Sequence, residues 1–230
     1  MTDAHCHVSC NDPSVRELLI GRDFVGIHPW EAEEKGSGIG DQGSGIGDQG
    51  SGIGDRGIGE IGLDRLKSKT ISPRMREVFE QQLKLAFELH RPVVLHGAKC
   101  WGQVVETVRR LGGGAANRTI EQSNNQTIPP LLFHGFSRSD GLIPDIVALG
   151  GFISVGPAIL NDHAVNYRKL VTKIPLDRLL VETDRTAENA ESCPSIREVL
   201  RKTAEIRGLS VAELERITDA NAAAFFPPRQ

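Results

Sequence analysis

His5 and His7 stand two apart in the run Asp3-Ala4-His5-Cys6-His7. On a strand both imidazoles project from one face and can share one divalent ion. Such a pair alone is weak evidence of a metal, since core histidines produce it often. Cys6, between them, points the other way on a strand and reads as a small packed residue. The pair gains weight from the rest of the chain. Five of the seven histidines (His5, His7, His28, His96 and His134) lie at or near the ends of short apolar runs, and Glu60 and Asp184 stand on or just after such runs. Imidazole and carboxylate ligands together suit Zn²⁺, Mn²⁺, Fe²⁺ or Mg²⁺. Two neighbouring ions lower the pKa of a shared water and clamp the oxygens of a scissile ester. No Gly-x-Ser-x-Gly elbow offers a serine nucleophile instead. His90 and His163 fall in helical surroundings and are expected on the surface.

The runs that must position these groups are residues 23–27 before His28, 57–63 around Glu60, 92–95 before His96, 131–133 before His134, 151–155, and 178–181 before Glu182-Thr183-Asp184. Their length and apolar content suit buried parallel strands. With the strand of the His pair, seven strands are recognisable. Helical patterns alternate with them. Ser72-Pro73 is a cap followed by proline at the first helical position, opening a helix to about residue 90. Further helices are expected over 102–110, 141–149 and 162–172, and Ser210 with Glu213 spells a capping box for a last one. Alternating strands and helices predict an α/β fold of the TIM-type (β/α) barrel, incomplete or distorted, in which strand ends converge on one face.

A chain of 230 residues supports a single domain over 1–230. The formal net charge of -3 gives no global pull toward nucleic acid or anionic membrane. No apolar run approaches the roughly 20 residues that span a bilayer. The start of the chain lacks the basic and apolar regions of a leader, and the four cysteines are scattered. A reducing, cytoplasmic setting is the expectation. Two segments interrupt the pattern. Residues 36–56 repeat Gly-Ser-Gly-Ile-Gly-Asp-Gln, the third copy ending in Arg56, and residues 112–130 are polar and Gly/Asn-rich. Each repeat contains Gly-x-Gly-x-x-Gly, but a dinucleotide site needs a strand before it and a helix after it. Both segments read as loops.

Taken in order, Asp3-Ala4-His5-Cys6-His7, Gly26-Ile27-His28-Pro29-Trp30, Gly59-Glu60-Ile61-Gly62-Leu63-Asp64, Val94-Leu95-His96, His134-Gly135-Phe136-Ser137 and Glu182-Thr183-Asp184 resemble the TatD family of metal-dependent deoxyribonucleases, within the amidohydrolase-like superfamily. The resemblance implies that His5, His7 and Asp184 hold one metal and that His96 and His134 hold a second, with Glu60 bridging. It makes Asp184 the group that takes a proton from the attacking water. It places His28 and Asp64 in the substrate pocket, in phosphate-facing or supporting roles. The implied reaction is hydrolysis of DNA phosphodiesters from a 3′ end with two divalent ions (Mg, Mn or Zn).

The chain departs from the family in several places. Only residues 8–25 lie between His7 and the Gly-Ile-His-Pro motif, where a further βα unit is expected. The repeat stands where a helix should precede Glu60. Lys99 stands in for an arginine after His96, and Arg185 replaces a proline after Asp184. Two other readings follow from the residues. The same metal-water chemistry can act on RNA, or on an amide, lactone or aminoacyl ester. Alternatively, a degenerate barrel can keep its metals and lose catalysis.

Overall fold

The computed structural model describes residues 1–34, 53–112 and 128–228. Most of the glycine repeat (36–52) and most of the polar segment (113–127) lie outside the described residues. The strands are β1 (Thr2–Cys6), β2 (Arg16–Leu19), β3 (Phe24–Val25), β4 (Gly57–Asp64), β5 (Val93–Ala98), β6 (Leu131–Phe133), β7 (Phe152–Val155) and β8 (Leu179–Val181). All pairings between them are parallel. The helices are α1 (Pro73–Glu88), α2 (Trp101–Leu111), α3 (Ile143–Ala148), α4 (Val165–Lys173), α5 (Ile196–Arg207) and α6 (Val211–Phe225).

The strand ladders form a six-stranded sheet, β3 to β8 in sequence order, and a two-stranded sheet of β1 and β2. Both seams between the sheets are stitched. Ile20 bridges Phe24 at one. At the other the Asp184 N–H donates to the His5 carbonyl at 3.0 Å and the His7 N–H to the Arg185 carbonyl at 2.8 Å. The architecture is the (β/α) barrel type, with eight strands among the described residues rather than the seven legible in the sequence.

The additional strand is β2. Arg16 and Glu17 break its apolar pattern, so periodicity passes over it. Both charges are absorbed by polar partners. Glu17 accepts from the Cys10 N–H at 2.6 Å and from Ser9 Oγ at 2.5 Å, while the Arg16 guanidinium donates to the Phe226 carbonyl. No described helix separates β1, β2 and β3; residues 7–15 alone connect the first two.

The interior explains how this sparsely covered half is held. Ala4, Leu18, Phe24, Val94, Leu132, Phe152 and Leu180 come from seven strands and cluster with Ala222, Phe225 and Phe226 from the end of α6. Phe24 stacks on Phe225 with ring centroids 5.8 Å apart and lies 4.9 Å from Phe226. The chain's last helix therefore caps one end of the apolar interior. Side chains two apart on a strand share a face. The residues two beyond Val94, Leu132, Phe152 and Leu180 are His96, His134, Ser154 and Glu182. Apolar side chains thus fill one layer, and a polar layer lies over it toward the strand ends.

Local signals place the helices. Ser72 Oγ accepts the Met75 N–H at 2.9 Å, with Pro73 at the first helical position. Ser210 accepts from the Glu213 N–H, but the reciprocal capping box expected there is complete instead at Ser195 and Glu198, which open α5. Helix α4 starts at Val165, three residues after the expected start. Gly62 has φ 152°, and a Cβ there would lie 2.0 Å from the His96 carbonyl oxygen, so only glycine lets β4 approach β5 this closely.

Candidate metal centre

Glu60, in the middle of β4, is 4% exposed and divides the polar layer in two. Its Oε2 faces His5 Nε2 at 3.5 Å and His7 Nε2 at 3.3 Å. Its Oε1 faces His96 Nδ1 at 2.5 Å, His134 Nε2 at 2.6 Å and His28 Nε2 at 3.5 Å. Asp184 completes the first half, with Oδ1 lying 3.5 Å from His5 Nε2 and 3.6 Å from His7 Nε2.

The first half has the chemistry and the spacing of a metal site. Donor atoms 3.3–3.6 Å apart are too far for good hydrogen bonds. They match the separation of atoms sharing an ion at bonds of about 2.0–2.2 Å. His5 is fully buried, and neither of its ring nitrogens finds a hydrogen-bond partner. A buried polar atom without a partner is costly, and a cation at the centre of this group would remove the cost for Nε2. The second half is drawn together by hydrogen bonds at Glu60 Oε1. Ligand-capable groups occur as His5–His7–Asp184, His5–Glu60–His134 and His28–Glu60–His96.

Supporting contacts orient the rings. His96 Nε2 lies 3.0 Å from Asp64 Oδ2, which also accepts the Trp30 indole N–H at 2.8 Å. Asp64 Oδ1 takes the backbone N–H groups of Leu66 and Lys67 at 2.6 and 2.8 Å. Asp64 is fully buried, and both its oxygens are engaged. It holds the His96 ring with Nδ1 turned to Glu60. His28 accepts the Trp30 N–H at Nδ1, 3.1 Å away. An imidazole accepting at Nδ1 carries its proton on Nε2, so His28 faces Glu60 as a donor. Gln82, buried on α1, grips both the N–H and the carbonyl of Ile27 just before it. Lys99 is exposed past the end of β5, with φ 57°.

Three residues that pattern reading passed over are built into the same layer. Asp3 Oδ1 accepts the Thr183 N–H at 3.0 Å and Oδ2 accepts the Thr183 hydroxyl at 2.6 Å, tying β1 to the segment that carries Asp184. Buried Glu182 accepts the Gly135 N–H at 2.6 Å and the Ser154 hydroxyl, next to His134. Trp30 is 49% exposed and stands edge-to-face beside His28 and His96. The two-residue spacing of Leu180 and Glu182 is the one sequence signal that pointed inward for Glu182. As expected, Cys6 is buried with its thiol toward the Leu18 carbonyl, and His90 and His163 are exposed.

Burial competes with opposite charge at Glu60, Asp184, His5 and His134, and with hydrogen bonds at Asp3. Burial alone would raise the Glu60 pKa, but His134, His28 and His5 hold it well below the usual carboxylate range. Asp184 is likewise lowered: burial opposes this, and the neighbouring His5 and His134 imidazoles outweigh it. Burial and His134 pull the His5 pKa down, yet Asp184 and Glu60 lift it to about 9. Burial also opposes the rise at His134, which Glu60 and Glu182 carry well above the ordinary value. For Asp3, burial dominates over the Thr183 hydrogen bonds and pushes it to about 7.

Residues 21–227 match the family model described as "TatD related DNase". The matched range begins after His5 and His7. The chain is 27% identical over 178 residues to the uncharacterized metal-dependent hydrolase YabD of Bacillus subtilis, covering 74% of this chain and 64% of that one. It is 26% identical over 215 residues to a 3′-5′ ssDNA/RNA exonuclease TatD of Pectobacterium parmentieri, covering 88% of this chain and 76% of that one. It therefore spans less than two thirds of the length of YabD. The crystal structure of YJJV, a TatD homolog from Escherichia coli, superposes with a TM-score of 0.69 at 22% identity over 95% of this chain and 79% of that one, a likeness of fold.

Proposed function

This chain belongs to the TatD-related DNase family, and from that premise we propose that it hydrolyses phosphodiester bonds of DNA, removing nucleotides from a 3′ end, with two divalent cations bound at Glu60. The division of the Glu60 carboxylate carries the reading: Oε2 faces His5 and His7 while Oε1 faces His96 and His134. In this assignment His5, His7 and Asp184 would hold one ion and His96 and His134 the other, with Glu60 available to both. When bound, such ions make water acidic near neutral pH and draw charge from the oxygens of an in-line displacement.

The chain's own residues supply the rest. The Asp184 side chain is 48% exposed, with an oxygen directed at the cluster, and its lowered pKa keeps it ionised to receive a proton from the attacking water. His28, donating at Nε2, is suited to a phosphoryl oxygen beside Glu60. Lys99, exposed past β5, is assigned to the outer phosphates. Asp64 and Asp3 position His96 and Thr183 without touching substrate. β2 supplies the strand of the βα unit expected between His7 and the Gly-Ile-His-Pro motif, and no described helix accompanies it. Among the described residues no helix is long and apolar enough to cross a membrane.

The test is a 5′-labelled single-stranded oligonucleotide incubated with purified protein and Mg²⁺ or Mn²⁺, with metal content measured in parallel. Stepwise shortening from the 3′ end and two ions per chain are expected. Intact DNA beside hydrolysis of an aryl carboxylic ester would overturn the assignment of substrate.

A further inference from the structure

Burial does not account for Trp30. It is 49% exposed, whereas the chain's other tryptophan, Trp101, is buried and packs on Phe133 and Phe136. Both N–H groups of Trp30 are instead engaged at the metal centre. The backbone N–H donates to His28 Nδ1 at 3.1 Å, and the indole N–H donates to Asp64 Oδ2 at 2.8 Å. An indole donates and does not accept, so the direction of the second bond is fixed. The same Oδ2 lies 3.0 Å from His96 Nε2. On its other side Asp64 Oδ1 accepts the backbone N–H groups of Leu66 and Lys67. Lys67 then returns its ammonium to 4.6 Å from the centre of the Trp30 ring, a cation–π contact. Trp30 and Lys67 thus close two loops around one carboxylate.

We propose that Trp30 is a positioning residue for the ion at His96 and His134: its indole N–H fixes Asp64, and through Asp64 the tautomer and aim of the His96 ring. The inference rests on the two-ion reading above and adds a residue to that same site. An ionised carboxylate only accepts, so the Asp64 bond requires the proton of His96 on Nε2. That leaves Nδ1, 2.5 Å from Glu60 Oε1, as the nitrogen turned to the cluster. A ring that ligates through one nitrogen is aimed by what the other donates to. Without the indole, Oδ2 keeps only His96 among the described residues, and the carboxylate turns with the ring instead of holding it. Among the described residues neither Trp30 nor Asp64 hydrogen-bonds to His5, His7 or Asp184, so the effect falls on one ion and spares the other.

The chain has two tryptophans, so a ¹H–¹⁵N spectrum of the full protein carries two side-chain indole peaks. Trp30→Phe keeps an aromatic ring and the backbone N–H, loses only the indole donor, and assigns the Trp30 peak by its absence. Zn²⁺, which is diamagnetic, is titrated into chelator-stripped protein, with calorimetry in parallel. In the wild type two ions should bind, and the Trp30 peak should move with one step while the Trp101 peak stays in place. In Trp30→Phe one step should weaken about tenfold and the other stay within twofold. Leu66→Ala changes an exposed neighbour in the same loop without touching its backbone N–H, and should leave both steps within twofold. A Trp30 peak that responds to neither ion, two unchanged steps in Trp30→Phe, or equal weakening of both would overturn the assignment. A wild type that takes one ion sinks the two-ion reading instead. The role of Trp30 then stands if that ion moves the indole peak and binds more weakly to Trp30→Phe, and falls otherwise.

Discussion

The backbone N–H of Asp184 donates to the carbonyl of His5 at 3.0 Å, so the segment after the last strand meets the first strand directly across the seam of the barrel. Asp184 sits in a left-handed conformation, φ 49°, held by that bond. The metal-facing half of the cluster is therefore only as well formed as the closure of the barrel.

Asp3 is the residue through which that dependence can be measured. Replacing it by Ala leaves the buried Thr183 N–H and hydroxyl without their acceptor, a cost of about 1–3 kcal/mol. We expect a lower denaturant midpoint and Mn²⁺ affinity reduced by about 10–100-fold, as for other groups that orient ligands. Wild-type values in both titrations would separate the seam from the site.

Asp184→Asn tests the proton acceptor with little backbone penalty, because Asn tolerates the left-handed region as Asp does. Oligonucleotide hydrolysis should fall by about 10²–10⁴-fold with the far-UV circular dichroism unchanged. Near-full activity would remove Asp184 from the mechanism.

The titrating groups give a pH prediction with a definite sign. His5 is raised to about 9 and Asp3 to about 7. A group raised on folding stabilises the protein most when protonated, and that contribution is lost as pH climbs through the folded value. In chelator, stability should thus decline as pH rises from about 4 through 7 for Asp3, and from about 6.5 through 9 for His5. Metal binding needs neutral imidazoles, so metal affinity should climb over the His5 range and binding should release protons. Thermal melts with and without Mn²⁺ across pH 5–9.5 read both trends. A chelated protein that grows more stable toward pH 9 contradicts the assignment.

Phe225→Ala should cost about 3–5 kcal/mol, the usual range for a fully buried aromatic. Its ring lies against Phe24 and Phe152 at the capped end of the interior, away from the polar layer. The chemical-denaturation midpoint should drop, while activity per folded molecule stays near wild type.

Local chemistry was legible wherever neighbours in sequence are also partners in space. Ser72 caps α1 through Met75, three residues on, and the apolar runs before His96, His134 and Glu182 became β5, β6 and β8. β2 was not legible, because Arg16 and Glu17 are satisfied by Phe226, Ser9 and Cys10 rather than by an apolar environment. The role of Asp3 was hidden, and that of Asp64 was left between two readings, for the same reason: their partners Thr183, Trp30 and His96 are remote in sequence.

The sequence by itself determined the inventory: which imidazoles and carboxylates the chain owns, their placement at strand ends, and the alternation that makes an α/β barrel. Those follow from side-chain period and short-range capping, which act over a few residues. Tertiary structure decided the geometry, turning the two Glu60 oxygens to opposite halves, burying Asp64 behind His96, and lining a cavity beside Asp184 with Arg138 and Lys169. Those relations depend on strand register and on the closing of the seam between β8 and β1, where groups from opposite ends of the chain become neighbours.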